Sequence, residues 1–239
     1  MSVIALDQIK ALNQQFEHTS PQEVLAWVAQ TYPDHYAVVT SFQPTGIITL
    51  HMLSETVPNV PVLTLDTDLL FPQTYALIDA IEARLNLQVV RVRSAMTLEA
   101  QADAYGDALW ETNPDLCCRL RKVEPLRAAL AHYDAWITGL RRDQGTSRRN
   151  TPVVSWDEKY QNVKVSPFAT WTEEMVWTYI YAHNLPYNTL HDQGYPSIGC
   201  RTCTKAVIPG GESRSGRWAN YAKTECGIHV PDELPTGSG

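Results

Sequence analysis

The 239-residue chain is long enough for one α/β domain with a sizeable core, and its 44% hydrophobic and 19% charged residues are ordinary for a globular protein. No stretch reaches the roughly 18 apolar residues of a membrane span, and the first residues lack the basic and apolar regions of a signal peptide, so we expect a cytoplasmic protein without a membrane partner. The net charge of −7 disfavours a nucleic-acid partner, whereas 15 of the 19 Lys and Arg residues follow residue 118 and suit a small anionic ligand.

The first half of the chain alternates helical and strand patterns. Ser20 and Glu23 form a capping-box pattern with Pro21 at the first helical position, which predicts where the second helix begins. Helices are predicted near residues 6–16, 21–31, 47–54 and 72–86, and buried strands at residues 36–41, 62–65 and 88–92.

A polar turn at residues 41–46 joins the first strand to an apolar helix. Such a turn places backbone N–H groups and the positive end of a helix dipole at a phosphate. Neither G-x-x-x-x-G-K-[ST] nor G-x-G-x-x-G is present, so an ordinary strand–helix turn stays an alternative. The second strand runs into Asp66, Thr67 and Asp68, at the end of a strand where open α/β sheets bind ligands.

The second half continues the alternation. Asn113 is expected to cap a helix that has Pro114 at its first position, and Thr170 with Glu173 forms another capping-box pattern. We predict a helix and an exposed connection over residues 94–112, strands at residues 135–138 and 162–165, and a helix ending near residue 183.

Four of the five cysteines form two close pairs. Cys117 and Cys118 are adjacent, and Cys200 and Cys203 form a C-x-x-C. Structural zinc sites favour two separated hooks around one ion, and adjacent cysteines on a helix point about 100° apart. A cubane offers a separate iron to each thiolate, so the set indicates a [4Fe–4S] cluster, with a zinc site or buried free thiols as alternatives.

The segments around the cysteines resemble one family. They read L-C-C-R-L-R-K at residues 116–122, S-I-G-C-R-T-C-T at residues 197–204 and E-C-G-I-H at residues 225–229. Over residues 38–229 the chain resembles the assimilatory adenylyl-sulfate (APS) reductases, the iron–sulfur branch of the APS and phosphoadenylyl-sulfate (PAPS) reductase family. The resemblance implies a Rossmann-like adenine nucleotide alpha hydrolase fold in residues 1–203, with a mainly parallel sheet flanked by helices, and a flexible tail in residues 204–239 that carries the catalytic cysteine.

The resemblance also implies the site. Cys226 is the expected nucleophile, Lys122 the link between cluster and substrate, and Arg142 and Arg149 are preferred among the four arginines of residues 141–149. The [4Fe–4S] cluster is expected on Cys117, Cys118, Cys200 and Cys203, and substrate-binding roles are expected for Ser41, Phe42, Gly46, Asp66, Thr67, Lys122, Arg142, Arg149, Arg214, Arg217 and His229.

The reaction that the resemblance implies is the reduction of APS to sulfite and AMP in sulfate assimilation. Cys226 attacks the sulfur, AMP leaves, and thioredoxin or a glutaredoxin-like dithiol protein releases sulfite from an S-sulfocysteine on a mobile tail. The cluster orders the site and tunes its electrostatics. The sequence leaves the oligomeric state open, a homo-oligomer included.

Three alternatives follow from the same residues. A PAPS reductase, or an enzyme that accepts both substrates, would need a further cation for the 3′-phosphate. A zinc-binding sulfur-transfer or adenylating enzyme of the same fold is disfavoured, since the turn at residues 41–46 lacks the S-G-G-x-D-S common on that fold. A zinc-binding structural or nucleic-acid-binding module is disfavoured by the acidic balance.

Overall fold

The computed structural model describes residues 4–208, 210–219, 221, 223 and 225–230, except the side chain of Leu6. The closing residues 231–239 of the predicted tail lie outside the described residues. One mixed sheet organises the described chain, with strands in the order β3-β2-β1-β4-β6-β5. The strands are β1 (Tyr36–Val39), β2 (Val62–Asp66), β3 (Val89–Arg93), β4 (Ala135–Thr138), β5 (Val154–Asp157) and β6 (Asn162–Val165).

Neighbouring strands of the sheet are parallel except at one edge. β1 pairs in parallel with β2 and β4, and only the β5–β6 pair is antiparallel among the described strands. The chain leaves β1 for β2 on one side and reaches β4 on the other. The gap between the carboxyl ends of β1 and β4 is therefore the switch point at which such sheets bind ligands. The predicted mainly parallel sheet flanked by helices is confirmed, although β5 was not predicted.

Helices cover both faces of the sheet. They are α1 (Leu6–Phe16), α2 (Pro21–Thr31), α3 (Pro44–Ser54), α4 (Pro72–Leu85), α5 (Leu98–Tyr105), α6 (Leu109–Thr112), α7 (Pro114–Cys118), α8 (Glu124–Leu130) and α9 (Glu173–Ala182). None of the helices in the described part of the chain is both long and apolar enough to cross a membrane.

Local capping fixes several helix starts. The Ser20 hydroxyl accepts from the Glu23 N–H at 3.3 Å, and the Glu23 carboxylate accepts from the Ser20 N–H at 3.1 Å, which confirms the predicted capping box. The Asn113 side chain accepts from Leu116 N–H at 3.0 Å, as predicted. The prediction of a cap at Thr170 is wrong, because Thr172 caps the helix.

Strand side chains alternate between two cores. Val38, Ile137 and Val62 pack with the helices around α3, whereas Ala37 and Trp136 face a smaller core beneath α8. Full burial of each large aliphatic side chain contributes about 1.5–3 kcal/mol. These cores hold the strand ends, and hence the switch point, in fixed positions.

A π-helical turn, Arg119–Val123, separates α7 from α8 where the sequence predicts one continuous helix. π-turns are rare and often occur at functional sites. Here the turn follows Cys117 and Cys118 directly and contains Lys122.

The segment after the C-x-x-C folds back onto the main domain. Thr204 pairs with Arg217 in an antiparallel bridge, and the Trp218 N–H donates to the Cys203 carbonyl at 3.0 Å. Trp218 is 2% exposed. Thr204, Arg217 and Trp218 are thus attached to the domain by these contacts.

Candidate active site

A cavity lies at the carboxyl ends of β1, β2 and β4, at the switch point of the sheet. The turn before α3 forms one wall, and the π-helical turn between α7 and α8 contributes Lys122. The C-terminal segment closes the cavity with Arg214, Cys226 and His229. The predicted site residues that line it are Ser41, Gly46, Thr67, Lys122, Cys200, Arg214, Arg217, Cys226 and His229.

The turn at residues 41–46 brings the N-terminus of α3 to the cavity. Phe42 has a left-handed φ of 55° and is fully buried, and its N–H donates to Thr40 Oγ1 at 3.0 Å. A Cβ at Gly46 would lie 2.1 Å from Thr40 Oγ1, so close packing requires glycine there. Phe42 shapes the turn from beneath, while Ser41 and Gly46 face the cavity.

Asp66 is saturated by protein donors. Its carboxylate accepts from Tyr75 Oη at 2.7 Å and from Arg93 Nη2 at 2.6 Å, and it does not line the cavity. Burial alone would raise the pKa of Asp66, but the hydrogen bonds from Tyr75 and Arg93 outweigh it and lower the pKa. The geometry thus places Asp66 as a support of the loop, while Thr67 next to it faces the cavity.

The structure divides the four arginines of residues 141–149 differently from the preference based on the sequence, and that preference stays a prediction. Arg142 turns away from the cavity, donates to the Thr151 carbonyl at 2.8 Å and pairs with Glu17, which follows α1 directly. Arg142 and Arg149 do not line the cavity, whereas Arg141 and Arg148 do. Sequence spacing could not separate them, because the partner Glu17 is 125 positions away in the chain.

Arg141 is held beside the turn at residues 41–46. Its Nη1 donates to Thr45 Oγ1 at 2.8 Å and its Nε to Asp143 at 2.9 Å, and it is 7% exposed. This guanidinium therefore lies beside the N-terminus of α3, where a phosphate would be stabilised by both.

The four cysteines of the two pairs come together from α7 and the turn at Cys200–Cys203. All are free, and Cys117, Cys118 and Cys200 are buried. Burial, and then the neighbouring thiols Cys118, Cys200 and Cys203, raise the pKa of Cys117 to about 12. Burial likewise raises the pKa of Cys118 to about 11. Both thiols are therefore protonated near neutral pH, and their ionisation without a bound metal group would cost free energy.

Four thiolates are the usual complement of a [4Fe–4S] cluster, so the chemistry of these four cysteines suits such a group. Within the described residues no group of three or more His, Cys, Asp or Glu side chains is arranged to hold a single metal ion. The other three thiols, on two segments, all lie close enough to Cys117 to influence its ionisation.

Lys122 connects the cysteines to the cavity. It is 9% exposed and lies within electrostatic reach of Cys118, Cys200 and Cys226. Burial would lower the pKa of Lys122, but these thiols raise it above its ordinary value. Burial alone would raise the pKa of Cys200, yet the charge of Lys122 and the Thr67 hydroxyl, 3.3 Å from Cys200 Sγ, lower it.

The C-terminal residues supply the remaining cations. The Arg217 guanidinium lies over the Trp218 ring at 4.6 Å and donates to Ser197 Oγ at 3.3 Å. Burial lowers the pKa of Arg214 to about 10, so Arg214 stays charged near neutral pH. Lys122, Arg214 and Arg217 thus line the same cavity as Cys226, and Lys122 and Arg214 lie within electrostatic reach of Cys226.

His229 is placed by the sheet. Its ring stacks on Trp136 with centroids 5.7 Å apart, and its Nδ1 is enclosed without a hydrogen-bond partner among the described residues. Burial, followed by the charges of Lys164 and Arg148, lowers the pKa of His229 well below its usual range. The imidazole is therefore neutral at physiological pH.

The sequence interpretation did not single out Ser147, and it named Arg148 only as one of the four arginines of residues 141–149. Arg148 and Ser147 both hydrogen-bond to Glu225, which precedes the expected nucleophile. Glu225 was visible only as a letter of the E-C-G-x-H motif, and its partners lie 77 and 78 positions earlier.

The fold and the cavity define a doubly wound α/β protein with a cation-lined ligand site at its switch point. The family model of the phosphoadenosine phosphosulfate reductase domain matches residues 35–206. The chain belongs to that family, and it is an oxidoreductase acting on sulfur compounds, as predicted.

Individual relatives agree with this assignment. An adenosine 5′-phosphosulfate reductase of Salinibacter ruber is 47% identical over 97% of this chain and 92% of its own length. A protein of the same name from Halalkalibacterium halodurans is 46% identical over 92% and 96%. The crystal structure of a PAPS reductase from Candida auris in complex with phosphate has a TM-score of 0.74, with 34% identity over 87% and 99% of the two chains.

More distant structures share the fold alone. The FMN adenylyltransferase of Candida glabrata superposes with a TM-score of 0.56 at 14% identity, over 95% of this chain and 77% of its own.

Proposed function

We propose that this chain reduces APS to sulfite and AMP. The observation that carries the proposal is that Cys226 shares one cavity with Lys122, Arg214 and Arg217, beside the turn that ends at Gly46. Cations beside a cysteine can bind a sulfate group next to the sulfur atom that attacks it.

The substrate would lie across the carboxyl ends of the strands. Its nucleotide phosphate meets the turn at residues 41–46 and Arg141, and its sulfate meets Lys122, Arg214 and Arg217. His229, being neutral, contributes a hydrogen bond rather than a charge.

The first step transfers the sulfonate group. The Cys226 thiolate attacks the sulfur, the bond from sulfur to the bridging oxygen breaks, and AMP leaves with the electron pair. The leaving phosphate needs no proton at neutral pH, so no general acid is required. The product is an S-sulfocysteine at Cys226.

The second step needs two electrons, which a dithiol protein such as thioredoxin, or a glutaredoxin-like protein, supplies. A thiolate of the dithiol attacks Cys226 Sγ and sulfite leaves. The second thiol then resolves the mixed disulfide and regenerates Cys226. A tail that moves between the cavity and the dithiol protein serves both steps.

The contacts of residues 204–218 with the domain limit which part of the C-terminal segment can move. Since Trp218 is buried and Thr204 pairs with Arg217, we propose that the movement begins after Trp218. Five free cysteines in one chain suit a reducing compartment, which supports the cytoplasm as location.

We assign Cys117, Cys118, Cys200 and Cys203 as the ligands of a [4Fe–4S] cluster. When bound, it would supply a negatively charged, rigid group beside Lys122. Lys122 would then hold its ammonium between those ligands and the sulfate of the substrate.

APS is preferred over PAPS because the curated relatives at 46–47% identity carry the name adenosine 5′-phosphosulfate reductase. The test is anaerobic turnover of both nucleotides with reduced thioredoxin, for the wild type, Cys226→Ser and Cys203→Ser, with the visible spectrum of each. We expect sulfite from APS by a brown wild type, a brown and inactive Cys226→Ser, and a bleached Cys203→Ser. Preference for PAPS would change the substrate, and an active Cys226→Ser would overturn the mechanism.

A further inference from the structure

Glu225 is enclosed by three donor residues from two places in the chain. Its Oε1 accepts from Ser147 Oγ at 3.0 Å and from Arg148 Nε at 2.8 Å. Its Oε2 accepts from Arg148 Nη2 at 2.8 Å and from Arg214 Nη2 at 2.9 Å. The side chain is 7% exposed, so these charge-assisted hydrogen bonds are shielded from water.

Ser147 and Arg148 belong to the short helical turn Thr146–Arg148 after β4, and Arg148 Nη1 also donates to Gln144 Oε1 at 2.6 Å. Glu225 is bonded directly to Cys226 in the chain. A carboxylate anchored to this turn thus limits where the neighbouring thiol can lie.

Two weaker contacts dock the same segment. Lys159 Nζ donates to the Gly227 carbonyl, and Lys223 pairs with Asp115 on α7. Asp115 is 78% exposed, so that pair is open to solvent and contributes little. Glu225 provides the buried, multiply bonded polar contact of the segment, in addition to the His229 ring that stacks on Trp136.

We propose that Glu225 is a positioning residue: its carboxylate latches the C-terminal segment onto Ser147, Arg148 and Arg214, and so keeps Cys226 in the cavity for attack. The catalytic role of Glu225 rests on the proposed function, because it assumes that Cys226 attacks the substrate. The latch itself is a property of the folded chain. The latch must open before a dithiol protein reaches Cys226, so it favours the first chemical step and not the second.

The test compares full-length wild type with Glu225→Gln, which keeps the shape and removes the charge. The exposed Glu212→Gln is the matched control in the same segment. Ser147→Ala removes one of the four hydrogen bonds. Thermal unfolding of each variant shows whether the domain is intact.

The first measurement is the rate at which iodoacetamide alkylates Cys226 without substrate, followed by mass spectrometry of the tryptic peptide after Lys223. We expect a rise of about tenfold in Glu225→Gln, because hydrogen bonds to a charged group are worth at least that factor. Ser147→Ala should show a smaller rise, and Glu212→Gln the wild-type rate.

The second measurement separates the chemical steps at saturating APS. Formation of the S-sulfocysteine in a single turnover should slow in Glu225→Gln. Release of sulfite from the preformed intermediate by reduced thioredoxin should be as fast as in the wild type or faster.

Wild-type alkylation of Glu225→Gln would overturn the latch, as would equal slowing of both steps. A faster alkylation together with a wild type that makes no sulfite would keep the latch and remove the proposed function. The two failures are therefore distinguishable.

Discussion

Arg121 Nη1 donates to the main-chain oxygen of Thr67 at 3.2 Å, and the Thr67 hydroxyl lies 3.3 Å from Cys200 Sγ. Arg121 itself is 1% exposed and donates to Gln101 at 2.7 Å. The turn after Cys117 and Cys118 is thereby tied to the strand end that meets Cys200. The two cysteine pairs are held together by this buried guanidinium before any metal group is considered.

Replacing Arg121 by Met should destabilise the fold by about 3 kcal/mol or more, because Gln101, Asp68 and the Thr67 carbonyl lose a buried charged donor. The free energy of unfolding from urea titration measures this. Arg119→Met is the control, since Arg119 is exposed and its pair with Glu124 spans 3.5 Å, a surface contact worth less than about 1 kcal/mol. Equal losses of unfolding free energy in the two variants would contradict this structural role of Arg121.

Arg141→Gln and Arg142→Gln should affect different properties. Arg141 lines the cavity beside Thr45, so its loss should lower kcat/KM for APS by roughly 10- to 100-fold, the effect of one charged hydrogen bond. Arg142 pairs with Glu17 near the surface, so its loss should cost less than about 1 kcal/mol of stability and leave kcat/KM nearly unchanged. Steady-state kinetics and urea unfolding of both variants test these expectations. A larger loss of kcat/KM in Arg142→Gln than in Arg141→Gln would support Arg142 as the substrate-binding residue, as the sequence suggested.

Local patterns predicted the scaffold but not the long-range pairs. The buried strand β4 and the cap at Asn113 follow from apolar runs and capping chemistry, which act within a few residues. The cysteine pairs could be recognised in the sequence, because their close spacing alone identifies them. The partners of Asp66 lie on separate elements, Tyr75 on α4 and Arg93 on β3, so only the folded chain shows that its oxygens are occupied. The π-helical turn leaves no comparable local signal, since its residues are ordinary helix formers.

Gly46 should resist substitution for a reason of packing. A Cβ there would lie 2.1 Å from Thr40 Oγ1, so Gly46→Ala should cost about 1–3 kcal/mol, as overpacking in a core does. Thr40→Ala removes the clashing oxygen and the acceptor for the Phe42 N–H, and should cost about 1 kcal/mol. In a double-mutant cycle by urea unfolding, the double variant should be more stable than the sum of the single losses. If the two losses of unfolding free energy are additive, the contact between residue 46 and Thr40 is not the cause of the instability.

His191 should make stability depend on pH below neutrality. Burial lowers its pKa to about 4, while the unfolded value is about 6.5, so between these values the unfolded chain binds the extra proton. The free energy of unfolding should therefore fall as pH is lowered from 6.5 to 4, by about 1 kcal/mol per pH unit from this group. His191→Gln should flatten that slope, and His132→Gln, at an exposed position, should not. Urea unfolding at a series of pH values tests this, and an unchanged slope in His191→Gln would assign the dependence to another buried histidine such as His229, whose pKa is also lowered.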